Sequence, residues 1–367
     1  MARARAVVIG TGIGGLAAAA GLCSAGWDVT ACERAASLEP VGADLALAPN
    51  GLRALDVFGA GDALRALAVP QELGIRRSNG RWLMRSATGH MIADRFGDPV
   101  ILVSRAAVID ALAVRVPDGV LSLGTEVTSV EPGGNAAARI STTAGELEAD
   151  LVVAADGIGS ATRCALFPGH PGLRYAGFTT WRLLTSSVAG PIPMAESWRR
   201  GTVFGVMPLS DGHVYCYAAA PAASGARAGD ELDGLVRLFG TWHEPIPQLL
   251  AAARRQDVLR HDVAECQALE DAAVLTRLAT GTRPDAVPAM LARYTAARLP
   301  RTTDVVRWSR RAAAMATWTS SPAVTTRNAL IRLTGKLAPG AALRSLTPIY
   351  SWQPPAAFRP ADDSHAS

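Results

Sequence analysis

A chain of 367 residues that is 49% hydrophobic and 19% charged can bury a large core, and it is long enough for two domains or for one α/β domain with a second inserted. Its net charge of +4 comes from arginine scattered over every segment, with Lys336 the single lysine, so no concentrated nucleic-acid patch forms and no nucleic-acid partner is expected. No apolar run reaches about 18 residues, and no membrane span is expected.

Ala6 to Ile9 is a short uncharged run ending in β-branched residues, as in a strand buried on both faces. Gly10, Gly12 and Gly15 follow in the spacing G-x-G-x-x-G, with Ile13 and Gly14 between them, and Leu16 to Ala25 reads as a helix stopped by Gly26. In this arrangement Gly10 permits a tight turn, Gly12 lets backbone approach a pyrophosphate, and Gly15 packs helix on strand. The anion then rests on the donor-rich amino end of the helix. Trp27 to Cys32 forms a second strand ending at Glu33, 23 positions after Gly10, where a carboxylate accepts both hydroxyls of a ribose; Arg34 comes next. Strand, helix, strand and acid together predict an adenine dinucleotide site rather than a bare glycine-rich turn.

Small residues from Gly42 to Pro49 predict extended backbone, and Asn50 is placed to cap a helix carrying Leu52, Leu55 and Phe58. Leu73 to Arg95 predicts antiparallel strands turning at Ser78-Asn79-Gly80 and Thr88-Gly89. Val100 to Val103 is the next strand, followed by Arg105 at the mouth of a helix over 106–116 that Pro117 ends. That position suits a diphosphate, the alternative being a solvated surface arginine. Strands are expected over 120–123, 126–131 and 137–148, with turns at Pro132-Gly133-Gly134 and Ala144-Gly145. Leu151 to Ala155 is an uncharged strand that delivers Asp156-Gly157 to the sheet edge where ligands bind, and Ser160 and Arg163 open another helix.

Alternation over 173–185 and 202–219, with a turn at Ser210-Asp211-Gly212, predicts a second, antiparallel sheet with Trp181 and Arg182 on the face that covers the ligand. Helical patterns follow near 231–240, 245–255, 266–278 and 285–315, the last bent at Pro300, and the tail from Gln353 is expected to be disordered. Five cysteines without a CxxC pair or a secretory leader read as free thiols of a reducing, cytoplasmic setting. Six histidines without HxxH spacing give no metal site.

The predicted fold class is α/β: a Rossmann-like nucleotide domain with a mostly parallel sheet and a βαβ start, interrupted by an antiparallel-sheet substrate domain, with C-terminal helices. The expected boundaries are 1–72, 97–171 and 256–282 for the nucleotide domain and 73–96 with 172–255 for the substrate domain. Helices then fill 283–352, before the tail 353–367.

The glycine motif with terminal Glu33, Gly42-Ala43-Asp44-Leu45, Arg105 opening a helix, Ala155-Asp156-Gly157 with Arg163 shortly after, and Trp181-Arg182 together resemble one family. It is the single-component FAD-dependent aromatic hydroxylases, typified by para-hydroxybenzoate and salicylate hydroxylases. Each motif is loose, their order and spacing as a set are specific, and the likeness covers residues 5 to about 352. The resemblance implies that the loop from Gly10 through Gly12, Ile13 and Gly14 to Gly15 holds the FAD diphosphate, and that Glu33, with Arg34 beside it, holds the ribose. It further implies that Arg105 meets the diphosphate or ribityl region and that Asp156-Gly157 serves both FAD and the passing NAD(P)H. By the same resemblance, NAD(P)H reduces the flavin and molecular oxygen is trapped as a flavin C4a-hydroperoxide. One oxygen then enters an aromatic or polyketide-like small-molecule substrate. The cofactor carries this chemistry, so no acid, base or nucleophile constellation is expected. Arg182 is the one candidate for touching substrate or the flavin face, against a structural salt bridge.

One departure stands out. The resembled family has a strand ending in Gly-Asp-Ala before its late helix, whereas here Val258 to Gln267 passes directly into Ala268-Leu269-Glu270-Asp271, as if that strand were deleted. Asp44 also stands where the family has glycine. A second reading is therefore a relative with weak or no FAD binding: a non-redox cyclase or isomerase, a ligand-binding protein, or a non-functional deletion product. A plain Rossmann dehydrogenase is third, and no Tyr or His pairing near a nicotinamide supports it.

Overall fold

The carboxyl ends of three adjacent parallel strands set the geometry of the molecule. The computed structural model describes residues 3–38, 45–68, 73–86, 88–134, 136–172, 175–186, 188, 190, 192–209, 211–262, 268–337 and 339–355. The stretch from Gly42 to Asp44, residues 263–267 and the end of the tail, 356–367, lie outside the described residues.

The chain opens with β1 (Arg5–Ile9), α1 (Ile13–Ser24) and β2 (Asp28–Glu33), then β3 (Leu45–Leu47), α2 (Pro49–Asp56) and α3 (Gly61–Arg65). A hairpin of β4 (Leu73–Arg77) and β5 (Trp82–Ser86) leads into α4 (Thr88–Phe96), β6 (Ile101–Val103) and α5 (Arg105–Ala113). There follow β7 (Leu121–Leu123), β8 (Val127–Glu131), β9 (Ala138–Thr142), β10 (Gly145–Ala149), β11 (Leu151–Ala154) and α6 (Ala161–Leu166). The second half runs through β12 (Phe178–Ser186), β13 (Ala195–Trp198), β14 (Val203–Pro208) and β15 (His213–Pro221), then α7 (Glu231–Phe239), α8 (Ile246–Ala252) and β16 (Leu259–Asp262). Helices α9 (Ala268–Ala279), α10 (Val287–Ala316), α11 (Ser321–Leu337) and α12 (Pro339–Tyr350) close the chain.

The parallel sheet has the order β11-β1-β2-β7, with Ile9 beside both Ala154 and Cys32. Between its buried Leu16 and Leu22, helix α1 is alanine and glycine, small side chains that let α9 cross it closely. A Cβ on Gly21 would lie 1.9 Å from Thr276 Oγ1. Trp27 Nε1 donates to Ala279 O at 3.0 Å, fixing the far end of α9. Leu16, Leu22, Leu52, Leu55, Leu64 and Leu112 are fully buried around these helices, each worth roughly 1.5–3 kcal/mol of transfer free energy.

The larger sheet has the order β16-β12-β15-β14-β13-β4-β5. On one face Trp181, Leu183, Phe204 and Cys216 pack on α7 and α8 through Leu235, Phe239, Leu249 and Leu250. On the other, Met194, Met207 and Tyr215 meet Leu102 of β6. Among the described residues no helix is long and apolar enough to cross a membrane.

Several expectations are corrected. Thr88–Phe96 is a helix rather than a strand; Ile92 and Phe96, one helical turn apart, both bury against Leu343 and neighbouring residues of α12, with the Phe96 and Tyr350 rings 5.5 Å apart. The turn expected at Ala144-Gly145 divides 137–148 into two antiparallel strands, with Gly145, at φ +133°, opposite Thr142. Asn50 lies inside α2, whose cap is Ala48, and its amide reaches Glu270 instead. Strand β13 went unforeseen: four residues give too short an alternation to register. Trp181 and Arg182 do not share a face, since successive strand residues point to opposite sides. Trp181 is buried against α7, its Nε1 donating to Glu231 at 2.7 Å.

Candidate functional site

Gly10 ends β1 with φ +90°, and its amide donates to Cys32 O at 2.8 Å, while Ala155 N donates to Ile9 O at 2.8 Å. The turn is tight: a Cβ on Gly10 would stand 2.7 Å from Ala155 O and 3.2 Å from Asp156 Cα. Gly15 is packed more closely still, a Cβ there falling 1.8 Å from Gly10 O. Gly12, the cap residue of α1, has nothing within 4 Å of where its Cβ would be. Two of the three glycines are thus demanded by the fold, and the third faces open space over the amino end of a helix, whose unpaired amides favour an anion.

Glu33, at the end of β2, turns back to this loop. Its Oε2 accepts from Thr11 N at 2.9 Å and Thr11 Oγ1 at 3.1 Å, and its Oε1 from Ala35 N at 3.0 Å. Burial alone would raise this carboxyl; the hydrogen bonds from Ala35 and Thr11, with the Arg34 charge, outweigh it and hold Glu33 below the usual carboxylate range. Arg34 itself is exposed.

Asp156 follows β11 on the other flank. Its Oδ2 accepts from Thr162 N at 3.1 Å, and its buried Oδ1 has no hydrogen-bond partner among the described residues. Burial pushes its pKa up, Ser160 and Thr162 pull it further down, and the group is held ionised. An unpaired buried carboxylate oxygen is costly, about 1–3 kcal/mol, and marks a place for a ligand hydroxyl. Gly157 beside it has φ +83° and open space around its Cβ position. Arg163 donates to Ile158 O at 2.7 Å and so braces this turn.

Arg105 is the first residue of α5, set there by Ser104, whose Oγ accepts from Ala107 N at 3.0 Å. It is half-buried and has no hydrogen bond or ion pair to a described residue. Arg182 is likewise without one; it lines an open cleft of about 600 Å³ with His213, Tyr215, Arg254 and Gln256. The structure therefore brings Gly10, Gly12, Gly15, Glu33 and Asp156 to one sheet edge, and sets Arg182 apart on the second sheet.

Sequence reasoning passed over Thr11, the partner of Glu33, although it sits inside the glycine motif. It also passed over Glu196. That carboxylate accepts from Trp198 Nε1 at 2.7 Å and from the buried Tyr217 hydroxyl, whose ring lies over Gly205. No short motif marks the pairing of Glu196 with Tyr217, since those two sit on different strands.

Open backbone above Gly12, the ionised Glu33 and an Asp156 acceptor without a partner among the described residues lie at one edge of the parallel sheet. Fold and site together define a dinucleotide-binding α/β protein with an inserted antiparallel sheet. The chain belongs to the FAD binding domain family, whose profile matches residues 3–212. It is similar to aurachin C monooxygenase/isomerase of Stigmatella aurantiaca, 30% identical over 89% of this chain and 93% of that protein. It is also similar to 3-amino-4-hydroxybenzoate 2-monooxygenase of Streptomyces cremeus, 30% identical over 90% and 92% of the two chains. The fold matches that of Klebsiella pneumoniae HpxO complexed with FAD and uric acid, with TM-score 0.82 at 24% identity over 94% of this chain and 97% of that one. The strand and Gly-Asp turn of the resembled hydroxylases have no counterpart among the described residues: β11 is the outer strand of the parallel sheet, and β16 pairs with β12 in the other.

Proposed function

We propose that this chain is an FAD-dependent, NAD(P)H-using monooxygenase that hydroxylates an aromatic or polyketide-like small molecule. The observation that carries the reading is the convergence of the open turn at Gly12, ionised Glu33 and the unpaired Oδ1 of Asp156 on the edge of three neighbouring parallel strands. The names of the relatives support the reaction class. In this reading the amides from Gly12 to Gly15 hold the diphosphate, Glu33 accepts from the ribose hydroxyls, and Asp156 accepts from the chain beyond. Arg105 supplies an unneutralised cation to the same ligand. Bound there, flavin would supply the redox chemistry, hydride acceptance and oxygen activation, that the residues themselves lack.

The protein's own part is to bind, orient and exclude water. Met194, Met207 and Tyr215 form an apolar wall on the sheet face that meets Leu102, and Arg182 offers a cation to an acidic or carbonyl group of the substrate.

The test is direct. The purified full-length protein should be yellow or become so with added FAD, and should oxidise NAD(P)H faster with a phenolic substrate. A colourless protein that binds no added FAD and consumes no NAD(P)H refutes the proposal. The open outer edge of β11 favours one variation, in which FAD is held mainly by its adenosine diphosphate half and is lost on purification; saturable binding of added FAD distinguishes it.

A further inference from the structure

Glu270 is a charged residue in the first turn of α9, 3% exposed and surrounded by three donor side chains on two other elements, α2 and α10. Arg298 NH1 donates to its Oε2 at 3.0 Å; Arg301 Nε and NH2 donate to Oε2 and Oε1 at 3.1 and 2.7 Å; and Asn50 Nδ2 donates to Oε1 at 2.8 Å. Arg298 also donates to the neighbouring Asp271 at 2.7 Å. Burying a carboxylate between two guanidinium groups is costly unless every donor is placed, and here both oxygens are shared among fork-shaped partners. Among the described residues the buried amide oxygen of Asn50 has no partner, and its side-chain nitrogen is held by Glu270.

What this arrangement holds is the amino end of α9. Ala268 sits directly on the nucleotide loop: a Cβ on Gly14 would fall 2.8 Å from Ala268 Cβ. The far end of α9 is already fixed by Trp27 and by the close crossing at Gly21 and Thr276, which leaves the tilt of the first turn to Glu270. Arg301 carries the arrangement further, for it also donates to the carbonyls of Pro348 and Ile349, the latter at 2.9 Å. Arg53 completes the grip through Phe96 O at 2.7 Å, Trp352 O at 2.8 Å and Tyr350 O. The last turn of α12 is thereby tied to the helix that abuts the nucleotide loop.

We propose that Glu270 is a positioning residue for the dinucleotide: through Arg301 and Asn50 it sets the amino end of α9 against Gly14, and so couples the C-terminal helix to the diphosphate grip. This rests on the FAD reading above. Carboxylates in the first turn of α9 also suit the positive end of its dipole, so the lock and the helix direction agree.

The test compares full-length wild type with Glu270→Gln and Arg301→Lys. FAD affinity is read by flavin fluorescence, adenosine affinity by competition, the visible band of bound flavin by absorbance, and folding by thermal denaturation. Glu270→Gln keeps the shape but removes the charge between two arginines, and should weaken FAD binding about ten-fold or more while adenosine stays within about two-fold. The flavin band should shift in the same variant. Arg301→Lys keeps one ion pair with Glu270 but loses the fork to α12, and should give a smaller loss of the same kind. If Glu270→Gln fails to fold, Arg301→Lys decides. Equal weakening of FAD and adenosine, or no change in either by a folded variant, overturns the positioning role. If wild type binds no FAD, the functional reading falls and this one with it; if wild type binds and the variants bind alike, only this one falls.

Discussion

Replacing Gly12 separates the binding role of the loop from its structural role. Gly12 has φ −64° and ψ −177°, which any residue adopts, and nothing lies within 4 Å of its Cβ position. The folded protein should therefore tolerate Gly12→Val. Loss of a good cap residue costs about 0.5–1 kcal/mol, and reduced freedom of the unfolded chain returns about 0.4–1 kcal/mol, so unfolding free energy should change by less than about 1 kcal/mol. Ligand binding should not survive so well. The new side chain fills the space over the amino end of α1 and displaces a diphosphate from two amides. Each such hydrogen bond to a charged group is worth about 1.5–3 kcal/mol, so FAD affinity should fall by a factor of about 100 or more. Gly15→Ala is the contrasting variant: its Cβ would stand 1.8 Å from a backbone oxygen, and it should destabilise the fold itself by about 1–3 kcal/mol or more. Thermal unfolding without ligand, followed by FAD titration of both variants, measures the two effects. Wild-type FAD affinity in Gly12→Val would refute the reasoning.

Other perturbations follow from the same geometry. Glu33 has a depressed folded pKa, so its contribution is complete above the ordinary carboxylate range and lost as pH falls through the folded value; the part of the acid-denaturation decline below about pH 4 that Glu33 carries should be flattened in Glu33→Gln. Arg182→Ala removes no described ion pair, so it should alter stability by less than about 0.5 kcal/mol while raising KM for the aromatic substrate; an unchanged KM would remove Arg182 from the binding surface. Gly205→Ala would drive a methyl to within 2.2 Å of the Tyr217 ring, and should cost about 1–3 kcal/mol in chemical denaturation. Cys164 is exposed whereas burial pushes the Cys216 thiol up, so a thiol reagent should label Cys164 in the native protein and Cys216 only after unfolding, as mass spectrometry of the labelled peptides would show.

The nucleotide half was legible because its signals are local. A buried strand, three glycines and an acid at a fixed interval are dictated by backbone geometry within some thirty consecutive residues. Asp156 was legible for a similar reason, since an uncharged strand can only end at one edge of its sheet. The second sheet was legible in outline but not in facing. Trp181 and Arg182 share a motif in the sequence and diverge in space, because the pleat overrides adjacency. Thr88–Phe96 misled because Thr-Gly reads as a turn, and the partner that buries Ile92 and Phe96 lies some 250 residues away. Glu270 was invisible for the converse reason: an acid on an apolar helix looks like a solvated position until the arginines of another helix are placed over it.

The pairing of β4 with β13 carries a kinetic consequence. Gly74 lies beside Ala195 in parallel register, so the first hairpin of the inserted sheet waits about 120 residues for its inner neighbour. During synthesis the hairpin exists as an incomplete ribbon with one bare flank while the rest of the nucleotide half is still being made. Closing so long a loop comes late and slowly, and until then the flank of Leu73–Arg77 is an unpaired edge open to wrong partners.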